Sequence, residues 1–227
     1  MDATGGTLGA GGIRPIQSTA GIARLNGQQA GVLTQLATGQ RINRAADDPA
    51  GLISSENLRA VLAELEAESR ALDRSSRAAA VADGSLGAIG DLLTEAEAMA
   101  VANANEGALS DAEREANQIE INSILKSVDR LAQRSSFGDL PLLRGGATLS
   151  SGAGEITIGS AAVTDLGETS IDGETYRLSD VASGGALDTT DPETSRDAIR
   201  VLREARDEIL RSRGEIGAFV QNEIETR

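Results

Sequence analysis

The sequence predicts a mainly α protein: an elongated antiparallel bundle of long helices with a small β-hairpin element. Three observations carry this. Apolar residues recur at three- and four-residue steps from Pro49 to about Asn105, well beyond the usual length of a globular helix. Aromatic side chains are nearly absent, limited to Phe137, Tyr176 and Phe219. The core must then be built from Ala, Leu, Ile and Val, which lets helix axes approach closely. Two turn signals, Asn105-Glu106-Gly107 and Asp172-Gly173, interrupt the pattern, the second in a setting that favours a hairpin.

The elements follow in order. Residues 1–38 read as a flexible, Gly- and Ala-rich N-terminal segment followed by a weak helix from about Ile16. That helix has Ile22, Leu25, Val32, Leu33 and Leu36 as apolar members and is interrupted by Gly21, Gly27 and Gly31. Each such Gly costs a helix about 1 kcal/mol relative to Ala, so the segment needs neighbours to stand. The long helix from Pro49 carries Leu58, Leu62, Leu65 and Leu72, then Leu86, Ile89 and Leu93, as its core stripe. Gly84, Gly87 and Gly90 fall three apart and mark either a close helix contact or a weak point. Ser110 and Glu113 fit a capping box. The helix they open has Ile124 and Leu131 on its buried side and folds back antiparallel, because the loop before it is short. Ser135 to Gly146 reads as a compact non-helical stretch anchored by Phe137, Leu140, Leu142 and Leu143. Residues 146–191 form a hairpin and loop insert, with a β element between about 154 and 181. A last helix opens at Asp191-Pro192-Glu193, with Leu202, Ile209, Ile216 and Phe219 on its core side. Residues 39–227 thus make one rod-like unit.

Composition narrows the function. The 227-residue chain carries a formal charge of -14. That argues against nucleic acid and anionic membranes as partners, since both demand a basic face, and no stretch is apolar and long enough for membrane insertion. There is no Cys and no His, which removes thiolate chemistry, the commonest general base and the commonest zinc ligand. Ser75-Ser76 and Ser135-Ser136 therefore have no base partner. Gly9 to Gly12 has neither the strand nor the Lys of a phosphate loop. Glu64, Glu66 and Glu68, then Glu95 and Glu97, spread around a helix rather than converge and read as a solvated face. No catalytic, cofactor or metal residues are expected, and the chain is not read as an enzyme. Met1 to Gly12 lacks the basic and apolar regions of a cleaved secretory signal.

What remains is packing. The stretch from Leu36 to Leu52 joins two helices. It breaks at Thr38-Gly39 and runs through Arg41, Ile42, Asn43 and Arg44. Asp47 or Asp48 then caps the following helix, with Pro49 where a missing N–H costs nothing. A short exposed surface bearing both signs of charge can meet its complement on another copy and fix register. Arg41, Ile42, Asn43, Arg44, Asp47 and Asp48 are the candidate subunit-packing residues.

This joint, Arg41-Ile42-Asn43 followed by Ala45-Ala46-Asp47-Asp48 and Ala50-Gly51, resembles the run that opens the rod domain of bacterial flagellins. Ala82-Asp83-Gly84-Ser85-Leu86, Ser135-Ser136-Phe137 with Leu142-Leu143, and Arg213-Gly214-Glu215-Ile216-Gly217-Ala218 with Gln221-Asn222 resemble later parts of the same family in order and spacing. The resemblance covers roughly residues 20–145 and 194–227. It implies a short, rod-domain-only type without the family's outer domains and without the terminal helix that would follow Arg227. It further implies a structural subunit of the flagellar filament, extracellular and exported without a cleaved signal. The implied partners are other copies of itself or related flagellins, the flagellar export apparatus and hook-associated proteins. The rival readings are a hook–filament junction protein and a non-polymerising, secreted flagellin-like coiled-coil adaptor. Particle size separates the adaptor, which stays small at high concentration.

Overall fold

The computed structural model describes residues 16–105, 107, 109–151 and 154–224. The readings made for residues 1–12, Glu106 and Arg227 lie outside the described residues. The chain divides into two compact units, with the boundary between Glu64 and Leu65.

The first unit holds helix α1, Ile16–Thr38, and the start of helix α2, Pro49–Asn103. α1 is continuous through Gly21, Gly27 and Gly31, and beyond the adjoining residues and the helix's own backbone no atom lies within 4 Å of where a Cβ at these positions would stand. Those glycines serve no close contact within the chain. No residue from 21 to 64 is buried.

The second unit contains the core. α2 continues through it to Asn103, and its buried positions begin only at Ala78. Helix α3, Asp111–Arg134, starts in the capping box read from the sequence: the Ser110 N–H donates to Glu113 Oε2 at 2.8 Å, and the Glu113 N–H donates to Ser110 Oγ at 3.4 Å. α3 runs antiparallel to α2. Asn117 near its start donates to Asn103 Oδ1 at 2.8 Å, and Ser135 just past its end donates to Ser85 Oγ at 2.9 Å. Helix α4, Pro192–Phe219, is capped by Asp191, has Pro192 in its first turn, and continues as a π-helical turn over Val220–Ile224. α4 is also antiparallel to α2, since Arg203 meets Glu97 while Arg213 meets Asp83.

Between α3 and α4 lie three antiparallel strand pairs. Strands β1 (Ser136–Phe137) and β2 (Leu140–Pro141) make the first. Strands β3 (Arg144–Ser150) and β4 (Glu155–Ser160) make the second, with Leu149 opposite Ile156. Strands β5 (Thr169–Ile171) and β6 (Glu174–Tyr176) make the third around Asp172 (φ 53°) and Gly173 (φ 90°), both left-handed as an Asp-Gly hairpin turn requires. β3 begins inside the stretch expected to be irregular. Its register is broken between Arg144 and Ala147, where Gly145 and Gly146 take φ of 89° and 78°. A bulge of that kind erases the period-two pattern by which a strand is read.

A polar cluster pins the insert to the helices. Asn103, Gln118, Thr189 and Ser195 are all buried. Asn103 Nδ2 donates to the carbonyl of Thr189 at 3.0 Å, Gln118 Nε2 to the carbonyl of Val181 at 2.9 Å, and the Thr189 N–H to Gln118 Oε1 at 2.7 Å. Each amide thus spends both its donor and its acceptor, which makes burial tolerable.

The expected core is only partly the observed one. Leu86, Ile89, Leu93, Ile124, Leu202, Ile209, Ile216 and Phe219 are buried in one cluster. Leu131 is half-buried and packs against that cluster, and Leu72 is half-buried. Leu58, Leu62 and Leu65 are instead exposed, at 65%, 59% and 54%. The reason is the reach of the other helices in the second unit. α3 ends at Arg134, beside Ser85 of α2, and the last packed turn of α4 faces Ala79 and Asp83. The apolar stripe of α2 runs on N-terminal to Ala78 with no buried position on it.

Candidate assembly surfaces

The joint between α1 and α2 is a tied loop rather than a loose one. Gly39 takes φ 66° and ends α1, a left-handed step that Gly makes without steric cost. The Gln40 N–H donates to Thr38 Oγ1 at 3.3 Å, and Asn43 Nδ2 donates to the Gln40 carbonyl at 2.8 Å. The N–H groups of Asn43 and Arg44 both donate to Asp47 Oδ2, at 3.2 and 3.0 Å. Gln35 reaches from α1 to the Arg41 carbonyl at 2.9 Å.

The two aspartates divide the work. Asp48 is the cap of α2: its Oδ1 accepts from the Gly51 N–H at 2.9 Å, and its carbonyl accepts from the Leu52 N–H. Asp47 closes the turn before it. Gly51 suits this arrangement, since a Cβ there would press on the Asp48 carboxylate and on Ile42 Cδ1 and one of these side chains would have to shift. Ile42 is half-buried over that first turn. Arg41 is free to reach outward: its side chain is 81% exposed and lies 3.8 Å from Asp48, too long for a strong pair. Arg44 is exposed, with no side-chain partner among the described residues. So the six sequence-selected residues fall together, four of them as framework and two as presented guanidinium groups. Thr38, Gln35 and Gly51 belong to the framework too, and their role shows only in three dimensions.

A second surface is apolar. Ile22, Leu25, Val32, Leu33 and Leu36 of α1 are 54–74% exposed. Ile53, Leu58, Val61, Leu62 and Leu65 of α2 are 49–65% exposed. Most of these are members of the three-four pattern, so the stripes are amphipathic faces with no cover among the described residues.

Electrostatics in the second unit revise one expectation. Glu97 is not on a solvated face. Its side chain is 13% exposed, and its two oxygens each accept from an arginine of α4, Arg203 Nε and Arg206 Nη1, both at 2.6 Å. Arg213 meets Asp83 at 2.7 Å one stretch further on, and that hydrogen bond raises the already high guanidinium pKa. Gly87 faces the Arg213 guanidinium at 3.6 Å and Gly90 faces Ile209 at 3.8 Å, both ordinary contact distances, while Gly84 faces nothing. Among the described residues no cluster of His, Cys, Asp and Glu could hold a metal ion, and no helix is long and apolar enough to cross a membrane.

Residues 16–148 match the model of the bacterial flagellin N-terminal helical region. The chain belongs to the bacterial flagellin family. It is similar to the flagellar filament 30.7 kDa core protein of Treponema maltophilum, with 28% identity over 215 residues covering 88% of this chain and 72% of the relative. The flagellar filament 33 kDa core protein of Treponema phagedenis is 28% identical over 211 residues, covering 85% and 70%. A flagellin of Halalkalibacterium halodurans is 28% identical over 206 residues, covering 90% and 72%. In fold, the crystal structure of Bacillus cereus flagellin is similar, with a TM-score of 0.52 over 70% of this chain and 89% of that one at 17% sequence identity. A flagellin with a helical core and small antiparallel strand pairs is thus what the sequence led to expect. The joint, the exposed stripes and Glu97 itself lie within the matched residues, while its partners Arg203 and Arg206 lie beyond them.

Proposed function

We propose that this flagellin is a structural subunit of the bacterial flagellar filament, lying outside the cell and joined to copies of itself or to related flagellins. One observation carries the reading. The chain leaves long apolar stripes on α1 and early α2 in water, while its second unit has a complete core of its own. Apolar area is driven out of water at about 25 cal/mol per Å², and helical stripes of this kind are buried by other helices. The joint, Arg41 to Asp48, adds charge and fixed geometry where the two stripes meet, and serves as a subunit contact that sets register. Residues 39–227 act as the rod, with 146–191 as its insert. The export apparatus and hook-associated proteins are its transient partners, and export needs no cleaved signal.

Arg41→Glu tests this. The expected outcome is unchanged helix content by circular dichroism with few or no filaments sheared from producing cells. Normal filaments would refute the joint as a contact. Locating the unaltered protein tests the wider reading. Its peptides along the filament length support the subunit, its restriction to the hook junction supports the junction protein, and a small free particle in the medium supports the adaptor.

A further inference from the structure

The joint presents two guanidinium groups on a chain of net charge -14, so its complement is to be sought among carboxylates the fold has left free. Many are already engaged. Glu97 is held by Arg203 and Arg206, Asp83 by Arg213, Glu168 by Arg177, and Glu113 by Ser110. Glu115 and Glu120 of α3 are exposed and have no side-chain partner among the described residues. Asp111 faces only Arg114, at 3.9 Å, from a fully exposed position.

Asp111 and Glu115 border a groove of about 380 Å³ that is also lined by Gln118, Ile119, Ser183 and Thr190. Asp111, Glu115 and Ile119 are four apart and so share one helix face. Ile119 is 64% exposed, an unusual state for a large branched side chain on a helix that otherwise buries its apolar residues. Gln118 is spent on Val181 and Thr189, and the charged groups of the groove are the Asp111 and Glu115 carboxylates. A groove beside Asn122 carries the cation Lys126, one beside Gln133 carries Arg134 and Arg144, and one along α4 carries Asp83, already paired with Arg213.

We propose that the α3 groove of one copy receives the joint of another, with Arg41 and Arg44 on Glu115, Glu120 and Asp111 and the loop's apolar atoms over Ile119. A planar guanidinium fork suits carboxylates of this spacing better than an ammonium would. The two surfaces differ, so the contact is heterologous. A heterologous contact whose rotation does not close propagates as an open helical array. This inference rests on the joint being a subunit contact and names the face it meets.

The test uses filaments sheared from producing cells and subunit measured in the medium. Arg41→Glu with Arg44→Glu lowers the filament-to-medium ratio by roughly tenfold or more. Glu115→Arg with Glu120→Arg lowers it similarly, and the four changes together return most of it. The chain has no Cys, so Arg44→Cys and Glu115→Cys can be made singly in two co-produced chains. Oxidation of their mixed filaments then yields a disulfide-linked heterodimer. If the arginine variant loses filaments while the reversed pair gives no rescue and no heterodimer forms, the α3 groove is wrong and the joint stands as a contact to another face. Should the arginine variant assemble normally, both readings fall.

Discussion

At Glu97 a single carboxylate settles how two helices more than a hundred residues apart in sequence are aligned. It accepts from both Arg203 and Arg206 while itself largely shielded from solvent, so removing it takes the shared partner from two arginines, of which Arg203 keeps water and Arg206 keeps Asp207. Glu97→Ala is expected to cost about 2 kcal/mol, measured as a fall in the urea midpoint of unfolding, with Glu97→Gln costing less. A run of acids on a helix looks solvated in sequence, and nothing local distinguishes Glu97 from Glu95. Its partners come from α4, which is why this residue was not legible. The capping residues are the opposite case. Ser110 and Glu113 lie within one turn of each other, and so do Asp48 and Gly51, so their chemistry is written in four adjacent letters. The Ser110 backbone N–H, and after it the Ser110 hydroxyl, hold the Glu113 carboxyl below its ordinary pKa. Because the folded value is the lower one, the contribution is present above the unfolded Glu pKa and is lost as pH falls through the lowered folded value. Glu113→Gln is expected to remove that part of the acid limb of stability, and Ser110→Ala, which keeps the backbone N–H, to reduce it only in part, as read by urea titrations at a series of pH values below neutrality.

Among the elements, α2 is the instructive one. Its apolar residues recur on one face between Leu58 and Leu93, yet Leu93 is fully buried and Leu62 is 59% exposed. Periodicity reports which face of a helix is apolar and not what will cover it. The covering helices are α3 and α4, whose ends are fixed by their own caps and loops. Leu93→Ala is expected to destabilise the isolated protein by about 3 kcal/mol. Leu62→Gln is expected to change its stability by about 0.5 kcal/mol or less and to abolish filaments. Chemical denaturation of the monomer and electron microscopy of sheared filaments check the pair. Equal loss of stability from both would place Leu62 in the core after all. The hairpin β5–β6 was legible through Asp172-Gly173, whereas β3 was hidden by the bulge at Gly145 and Gly146.

On the scale of the molecule, stability is expected to be unevenly spread. Residues 21–64 contain no buried position, while Leu65 to Arg227 hold the whole apolar cluster and the Asn103–Gln118–Thr189 network. Amide hydrogens of α1 and of α2 up to Glu64 are expected to exchange rapidly in the monomer and to become protected in the filament. Those of α2 beyond Ala78 are expected to stay protected in both. Mass-resolved hydrogen exchange on the two forms checks this, and strong protection of α1 in the monomer would contradict it. The family and its helical fold could be read from a handful of spaced motifs because each encodes a local act: a cap, a turn, a hairpin. The proposed pairing of the stripes is a property of several copies, of which one copy's letters record only half.

The separation of core from exposed stripe has a genetic consequence. A copy altered at Leu62 or Arg44 keeps its folded second unit, so proteolysis that culls misfolded chains has little to act on. Such a copy would leave the cell in normal amounts and meet the growing tip alongside intact ones. There it would offer one sound face and one faulty one, accepting a neighbour badly or blocking the next. Lesions in the stripe or the joint would therefore behave as dominant in cells carrying both alleles, shortening filaments in proportion to dose. Lesions in the core would behave as recessive, because their products would be removed before they arrive.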